Sequence, residues 1–138
     1  MDKNFFIAWA VVFVLWMAGS FVVHGTLLRE DYAKLPNLFR PETEAQAYFP
    51  LMVLAHAIMA GAFVWMYSRG AEATPWLGQG LRFGFATAFL TVVPMYTIYY
   101  VVQPMPLVHV IKQIVFDGVL LLALGASVAK VYRKLDRI

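Results

Sequence analysis

Cysteine is absent from this sequence, and charged residues make up only 14% of it. The lack of cysteine excludes disulfides, thiolate metal sites, thiol redox centres and haem attached through Cys-x-x-Cys-His. Soluble domains are on average about a quarter charged and about half apolar. This chain is 62% hydrophobic, with a mean hydropathy of +0.69. We therefore expect a membrane protein.

The apolar residues form four long runs. They predict membrane-spanning helices at approximately residues 5–28, 48–68, 80–102 and 107–131, because a helix needs about 20 apolar residues to cross the hydrocarbon core. A chain of 138 residues then has little length left for a soluble domain. We predict one all-α domain over residues 1–138, a polytopic membrane protein folded as an antiparallel bundle of four transmembrane helices.

Two local features modify this outline. Pro94 lies inside the third run and removes one backbone hydrogen bond, which predicts a kink there. A neighbouring helix or a hydroxyl such as that of Thr91 can satisfy the carbonyl that is left without a donor. The segment after the first run is rich in charge and proline, but Tyr32 and Phe39 can hold part of it at the membrane surface as a short helix.

Lysine and arginine are distributed unequally between the two predicted sides of the membrane. Since cytoplasmic segments carry the excess of these residues, the count places both termini in the cytoplasm. The predicted cytoplasmic side carries Lys3, Arg69, Arg82, Lys130, Arg133, Lys134 and Arg137, and the opposite side carries Arg29, Lys34 and Arg40.

The fourth run is the only one with ionisable groups well inside it. His109, Gln113 and Asp117 fall within an arc of about 80° on a helix, so they form a polar stripe, with Lys112 beside it. Asp117 would lie near the middle of the membrane, where a charge costs roughly 3 kcal/mol or more. The stripe therefore requires partners or water.

Three interpretations of the stripe are open. Lys112 can reach the outer headgroups while Asp117 is protonated or bonded to Thr or Tyr hydroxyls of the third span. Alternatively, Asp117 titrates in a hydrated cavity and serves transport or proton relay. The third interpretation pairs these groups with a charged residue of another subunit.

Small residues recur at helical spacing and predict faces where helices pack closely. Packing within the bundle is the simpler interpretation, and association with other subunits is the alternative. The candidate positions are Gly80, Gly84 and Ala88 in the third run, Ala57 and Gly61 in the second, and Gly118 and Gly125 in the fourth.

Histidine and methionine are candidate metal ligands. His24, His56 and His109 lie on three different helices towards the outer half and could converge on a metal or haem, but none belongs to a ligand motif. We therefore predict no cofactor. The methionines could be read as soft copper ligands, although only two approach regular spacing; they are Met17, Met52, Met59, Met66, Met95 and Met105.

No catalytic constellation is visible, because Ser20, Ser68 and Ser127 have no neighbouring base or nucleophile elbow. We expect a protein that is not an enzyme. The basic residues lie at helix ends, where they set topology and meet anionic lipid, so we expect no nucleic-acid partner.

The last 60 or so residues resemble small bacterial four-helix membrane proteins of uncharacterised function. The resemblance implies a four-helix inner-membrane protein and no particular activity. It is carried by Gly80, Phe83, Gly84, Pro94, Tyr96, Tyr99, Tyr100, Gln103, Pro104, Pro106, Lys112 and Asp117.

The leading functional hypothesis is a non-catalytic accessory or stabilising subunit of a larger membrane complex, with the lipid bilayer and other membrane subunits or further copies of itself as partners. The alternative is a small oligomeric transporter or channel with a polar path along the fourth span. A haem-binding electron carrier is a third hypothesis.

Overall fold

The computed structural model describes residues 3–73 and 75–135, so Arg137 of the predicted cytoplasmic tail lies outside the described residues. Helix is the only regular secondary structure within these two ranges. The α-helices are α1 (Lys3–Val22), α2 (Arg29–Ala33), α3 (Glu42–Ala45), α4 (Phe49–Gly70), α5 (Trp76–Leu90), α6 (Val92–Val102) and α7 (Leu107–Leu135).

Four helical segments are long and apolar enough to cross a membrane. They are Lys3–Leu27, which comprises α1 and a following π-helical turn, Glu42–Gly70, Trp76–Val102 and Leu107–Leu135. Each contains most or all of one run predicted from the sequence. The chain is therefore an all-helical four-helix protein, as expected for a multi-pass membrane protein.

The third of these segments is interrupted in its middle. α5 ends at Leu90 and α6 begins at Val92, with Thr91 between them. The break lies one turn before Pro94, which has no N–H to donate to the preceding turn. The Thr91 hydroxyl donates to the carbonyl oxygen of Thr87 at 2.8 Å. The carbonyl that Pro94 leaves without a donor lies one turn later, so this hydroxyl does not satisfy it.

Glycine brings α5 and α7 into backbone contact. A Cβ added to Gly125 would meet the carbonyl oxygen of Gly80 and lie 2.8 Å from the backbone nitrogen of Gly84. One added to Gly84 would meet the carbonyl oxygen of Leu121. Ala88 is buried along the same face. This contact is the most extensive between any two helices, and it fixes α6 close to α7.

The other small-residue positions differ from one another. Trp9 of α1 donates its indole N–H to the Ala57 carbonyl oxygen at 2.8 Å, and its ring lies 3.2 Å from where a Gly61 Cβ would be. Ala57 and Gly61 therefore lie where α1 packs on α4. A Cβ on Gly118 would have nothing within 4 Å, so this glycine faces open space.

The bundle is closed at one end and open at the other. Towards the C-terminal end of α4, the rings of Phe63 and Tyr67 pack on Phe83 of α5, with centroids 4.7 and 5.4 Å apart. Towards its N-terminal end, α4 packs on α1 and has at most marginal contact with α6. We call this half, which carries the connection from Leu28 to Tyr48, the α2–α3 end.

Candidate functional site

Asp117 is the centre of a hydrogen-bonded cluster formed by three of the four long segments. Its side chain is 13% exposed. The carboxylate Oδ1 lies 3.1 Å from Nε2 of His24, and Oδ2 accepts a hydrogen bond of 2.5 Å from the Tyr96 hydroxyl. Asp117 thus joins α7 to the end of α1 and to α6, and both of its oxygens have partners within the chain.

His24 reaches Asp117 from a turn of unusual geometry. Residues Val23–Leu27 form a π-helical turn, closed by a hydrogen bond of 2.9 Å from the Leu28 N–H to the Val23 carbonyl oxygen. Turns of this type insert one extra residue into a helix and often occur at functional sites. Here the turn carries the imidazole that bonds to Asp117.

Tyr32 extends the cluster to the surface helix α2. Its hydroxyl lies 2.5 Å from Nδ1 of His24 and accepts a hydrogen bond of 3.4 Å from Nε2 of Gln113. In the tautomer with the His24 proton on Nε2, the Tyr32 hydroxyl donates to Nδ1 and His24 donates to Asp117. The groups form one chain of donors and acceptors. Burial raises the pKa of the Tyr32 phenol to about 12, so Tyr32 is a neutral member of this chain.

Lys112 has a partner on the same surface helix. Its Nζ lies 3.0 and 3.2 Å from the two carboxylate oxygens of Asp31, and the two side chains are 42% and 21% exposed. The hydrogen bond from Lys112 holds the pKa of the Asp31 carboxyl below its ordinary value. This ion pair fastens α2 to α7 without involving Asp117.

His109 occupies a different environment from the rest of the stripe. The residue is only 3% exposed, and neither ring nitrogen has a hydrogen-bond partner among the described residues. The rings of Tyr32 and Phe39 pack on its ring edge to face, with centroids 5.0 and 5.8 Å away. Oε1 of the buried Gln113 also lacks a partner there.

The three histidines are not brought together as a ligand set. Among the described residues, no group of three or more histidine, cysteine or acidic side chains could hold a metal ion. The ring nitrogens of His56 bond to the Met52 carbonyl oxygen and to Oγ of Ser20, each at 2.9 Å. Both nitrogens of His24 are also engaged. Axial haem ligation by His24 or His56 would have to displace these bonds, and the His109 ring is covered by the rings of Tyr32 and Phe39.

A cavity of about 600 Å³ lies beside Asp117 at the α2–α3 end. Its polar lining consists of Ser20, His24, His56, Thr91, Tyr96 and Asp117. Most of the remaining wall is aromatic or contains sulfur: Trp16, Phe21, Phe49, Met17, Met52, Met59 and Met95. Four of the six methionines considered as copper ligands thus line an apolar wall. The cavity is a mainly apolar chamber with a hydrogen-bonded carboxylate on one side.

Comparisons of this chain with family models, curated proteins and solved structures find no match. The fold and the site define its class, an all-helical protein with four helices long and apolar enough to cross a membrane and a polar cluster between them. Its function must therefore be argued from this cluster and the adjoining cavity.

The structure places two of the four predicted polar residues in the hydrogen-bonded chain and two outside it. Gln113 and Asp117 belong to the hydrogen-bonded chain, whereas Lys112 pairs outside it and His109 is packed under aromatic rings. The partners of the stripe lie elsewhere in the sequence. Tyr96 belongs to the third span, from which one interpretation expected a hydroxyl. Sequence patterns indicate His24 as a possible metal or haem ligand and Tyr32 as part of a short surface helix, and they predict no bond between Asp31 and the stripe.

Proposed function

We propose that this protein is a small transporter of a bacterial inner membrane, in which Asp117 takes up and releases a proton. The unequal distribution of lysine and arginine supports an orientation with both termini in the cytoplasm. In that orientation the α2–α3 end and its cavity face the outer side. The buried carboxylate would exchange protons with that side.

The observation that carries the proposal is the position of His24 between Tyr32 and Asp117. Each ring nitrogen bonds to one of them, at 2.5 and 3.1 Å. When Nδ1 accepts a proton, the ring can release the proton on Nε2 to Oδ1 of Asp117, and it returns to the neutral state. Tyr32 passes its proton to Nδ1 while its oxygen takes another from water. The phenol therefore never ionises, in agreement with its raised pKa.

The same contacts favour transport over an accessory role. The accessory-subunit hypothesis rests on the lack of a catalytic constellation, on short loops, on small-residue helix faces and on an intramembrane charge, and only the last of these is affected by the contacts. Lys112 pairs with Asp31, and Asp117 bonds to His24 and Tyr96. Because all of these partners belong to this chain, the charges supply no reason to require another subunit, and we favour transport.

The proposal is tested by proton movement in vesicles. The purified protein is reconstituted into liposomes that contain a pH-sensitive dye, a pH gradient is imposed, and potassium with valinomycin removes any membrane potential. We expect faster decay of the gradient than in protein-free vesicles, and decay at the protein-free rate with Asp117→Asn.

Ser127→Ala is the matched control on the same helix. The Ser127 hydroxyl is exposed and bonds only to the carbonyl oxygen of Ala123 in its own helix, so its loss should leave the rate unchanged. Equal rates for wild type, Asp117→Asn and protein-free vesicles would show that the chain does not move protons, and the proposal would be wrong.

A further inference from the structure

We propose that the cavity beside Asp117 binds a lipophilic organic cation with a single positive charge, and that this cation competes with a proton for the carboxylate. The inference rests on the proposed transport function, since both use Asp117 as the exchanging group. It adds the chemical class of the substrate and the direction from which the substrate enters.

The charge of the lining selects a monocation. Among the residues that the structure describes, Asp117 is the only acidic one that lines the cavity, and no lysine or arginine lines it. In the tautomer with the His24 proton on Nε2, its two hydrogen-bond donors, His24 and the Tyr96 hydroxyl, add no net charge. When Asp117 has released its proton, the lining therefore carries one negative charge, which a single positive charge balances. An anion would meet a carboxylate in an apolar chamber, where the repulsion is poorly screened.

The remaining wall is suited to an apolar cation. The rings of Trp16, Phe21, Phe49 and Tyr96 line the cavity, and aromatic faces attract cations within about 6 Å of the ring centroid. The methionine side chains are flexible and polarisable, so they adapt to ligands of irregular shape. A volume of about 600 Å³ lies in the range of about 300–1,000 Å³ that holds drug-sized ligands. A metal ion or a small hydrated cation would leave most of this apolar surface without contacts.

The route into the cavity runs between α4 and α6. These helices have at most marginal contact with each other, and the cavity residues on their facing edges are largely exposed: Phe49 is 57%, Met52 53% and Met95 49% exposed. In a membrane this opening faces the acyl chains. A lipophilic cation that has partitioned into the outer half of the bilayer would thus reach Asp117 without crossing the polar α2–α3 connection.

Binding exchanges one charge for another. When the cation occupies the cavity, the proton on the Asp117 carboxyl leaves through His24 to water, so one cation enters for each proton released. Affinity should accordingly rise with pH until the carboxyl is fully ionised. The titratable and charged groups around this carboxylate are His24, His56, Tyr32, Tyr96, and Lys112 with its partner Asp31.

The test compares two probes of nearly the same shape and opposite charge, tetraphenylphosphonium and tetraphenylborate. Binding to the purified full-length protein in a neutral detergent is followed by quenching of tryptophan fluorescence, with empty micelles as the baseline. Trp16→Phe identifies the part of the signal that comes from the cavity. We expect tetraphenylphosphonium to bind and the borate to bind at least tenfold more weakly.

Asp117→Asn should weaken binding of the phosphonium about tenfold or more and remove its dependence on pH, while Ser127→Ala binds as wild type does. The comparison of the two probes on the wild-type protein needs no variant, so it decides the question even if Asp117→Asn does not fold. Equal binding of both probes, or no binding of the phosphonium, would overturn the inference.

The two proposals fail in distinguishable ways. Movement of protons that depends on Asp117, together with equal affinity for both probes, would leave transport standing and reject the cation site. Selective binding of the phosphonium without any proton movement in vesicles, with or without the phosphonium present, would keep the cation site and reject transport.

Discussion

The contact between α5 and α7 can be tested by adding one methyl group at two glycines of the same helix. Gly125→Ala would place a Cβ 2.8 Å from the Gly84 nitrogen and against the Gly80 carbonyl oxygen, whereas ordinary contact begins at 3.4 Å. Both obstacles are backbone atoms, which no rotamer change can move. Gly118→Ala adds the same group where nothing lies within 4 Å. The two variants therefore differ in packing alone.

The expected magnitude follows from this difference. Replacing glycine by alanine inside a helix favours the helix by up to about 1 kcal/mol, and both variants gain this contribution. Overpacking costs about 1–3 kcal/mol, and only Gly125→Ala incurs it. We thus expect Gly125→Ala to unfold with a free energy about 1–3 kcal/mol lower than that of Gly118→Ala. Moving α5 away from α7 also moves α6, so Tyr96 should lose its bond to Asp117.

Titration with sodium dodecyl sulfate from a mild detergent measures this difference, with tryptophan fluorescence and helical circular dichroism as signals. The Gly118→Ala variant should unfold at the same or a higher proportion of the denaturing detergent than wild type, and Gly125→Ala at a lower one. Identical midpoints for the two alanine variants would refute the reasoning, because they would show that α5 and α7 are not in backbone contact at Gly125.

Further predictions concern the polar contacts at the α2–α3 end. Lys112 lowers the pKa of Asp31 in the folded state. This pair therefore stabilises the protein above the unfolded-state pKa of aspartate, and the stabilisation is lost as pH falls through the lower folded-state pKa. Thermal unfolding of Lys112→Met should lack this acid dependence, and a pH profile equal to that of wild type would contradict the prediction. Tyr32→Phe should titrate like wild type up to about pH 11 in ultraviolet absorbance, since the phenol of Tyr32 ionises only near pH 12, and a lost signal near pH 10 would show that the phenol is not buried. Ser20→Ala leaves a nitrogen of the buried His56 unpaired. It should therefore lower the free energy of unfolding by about 1–2 kcal/mol in the same detergent titration. A stability equal to that of wild type would argue against the bond between Ser20 and His56.

Helix content could be predicted from the sequence because the apolar runs are long, but helix ends could not. Gly78 indicates a turn before the third run, which is predicted to begin at about residue 80, yet α5 begins at Trp76. Pro75 stands directly before the helix, where its missing N–H costs nothing, and the contact of Gly80 with α7 offsets the low helix propensity of glycine. α7 continues to Leu135, as basic residues such as Arg133 are favourable at a helix C-terminus.

The candidate site was predictable only along α7. The periodicity of one helix places Gln113 and Asp117 on one face. It says nothing about His24, which is 93 positions from Asp117 and reaches it from a π-helical turn that no local pattern predicts. The pairing of Asp31 with Lys112 spans 81 positions, and charges in a loop could equally face water. Contacts of this kind depend on how helices pack, which the apolar pattern does not specify.

The order of the partners along the chain bears on how the protein is made. His24, Asp31 and Tyr96 all precede Asp117 and Lys112 in the sequence, and chains are synthesised from the N-terminus. When the proposed fourth span leaves the ribosome, every group that bonds to its two charges is already present. The span that carries these charges thus follows all of their partners, so a truncation after α6 would leave those partners without Asp117 and Lys112.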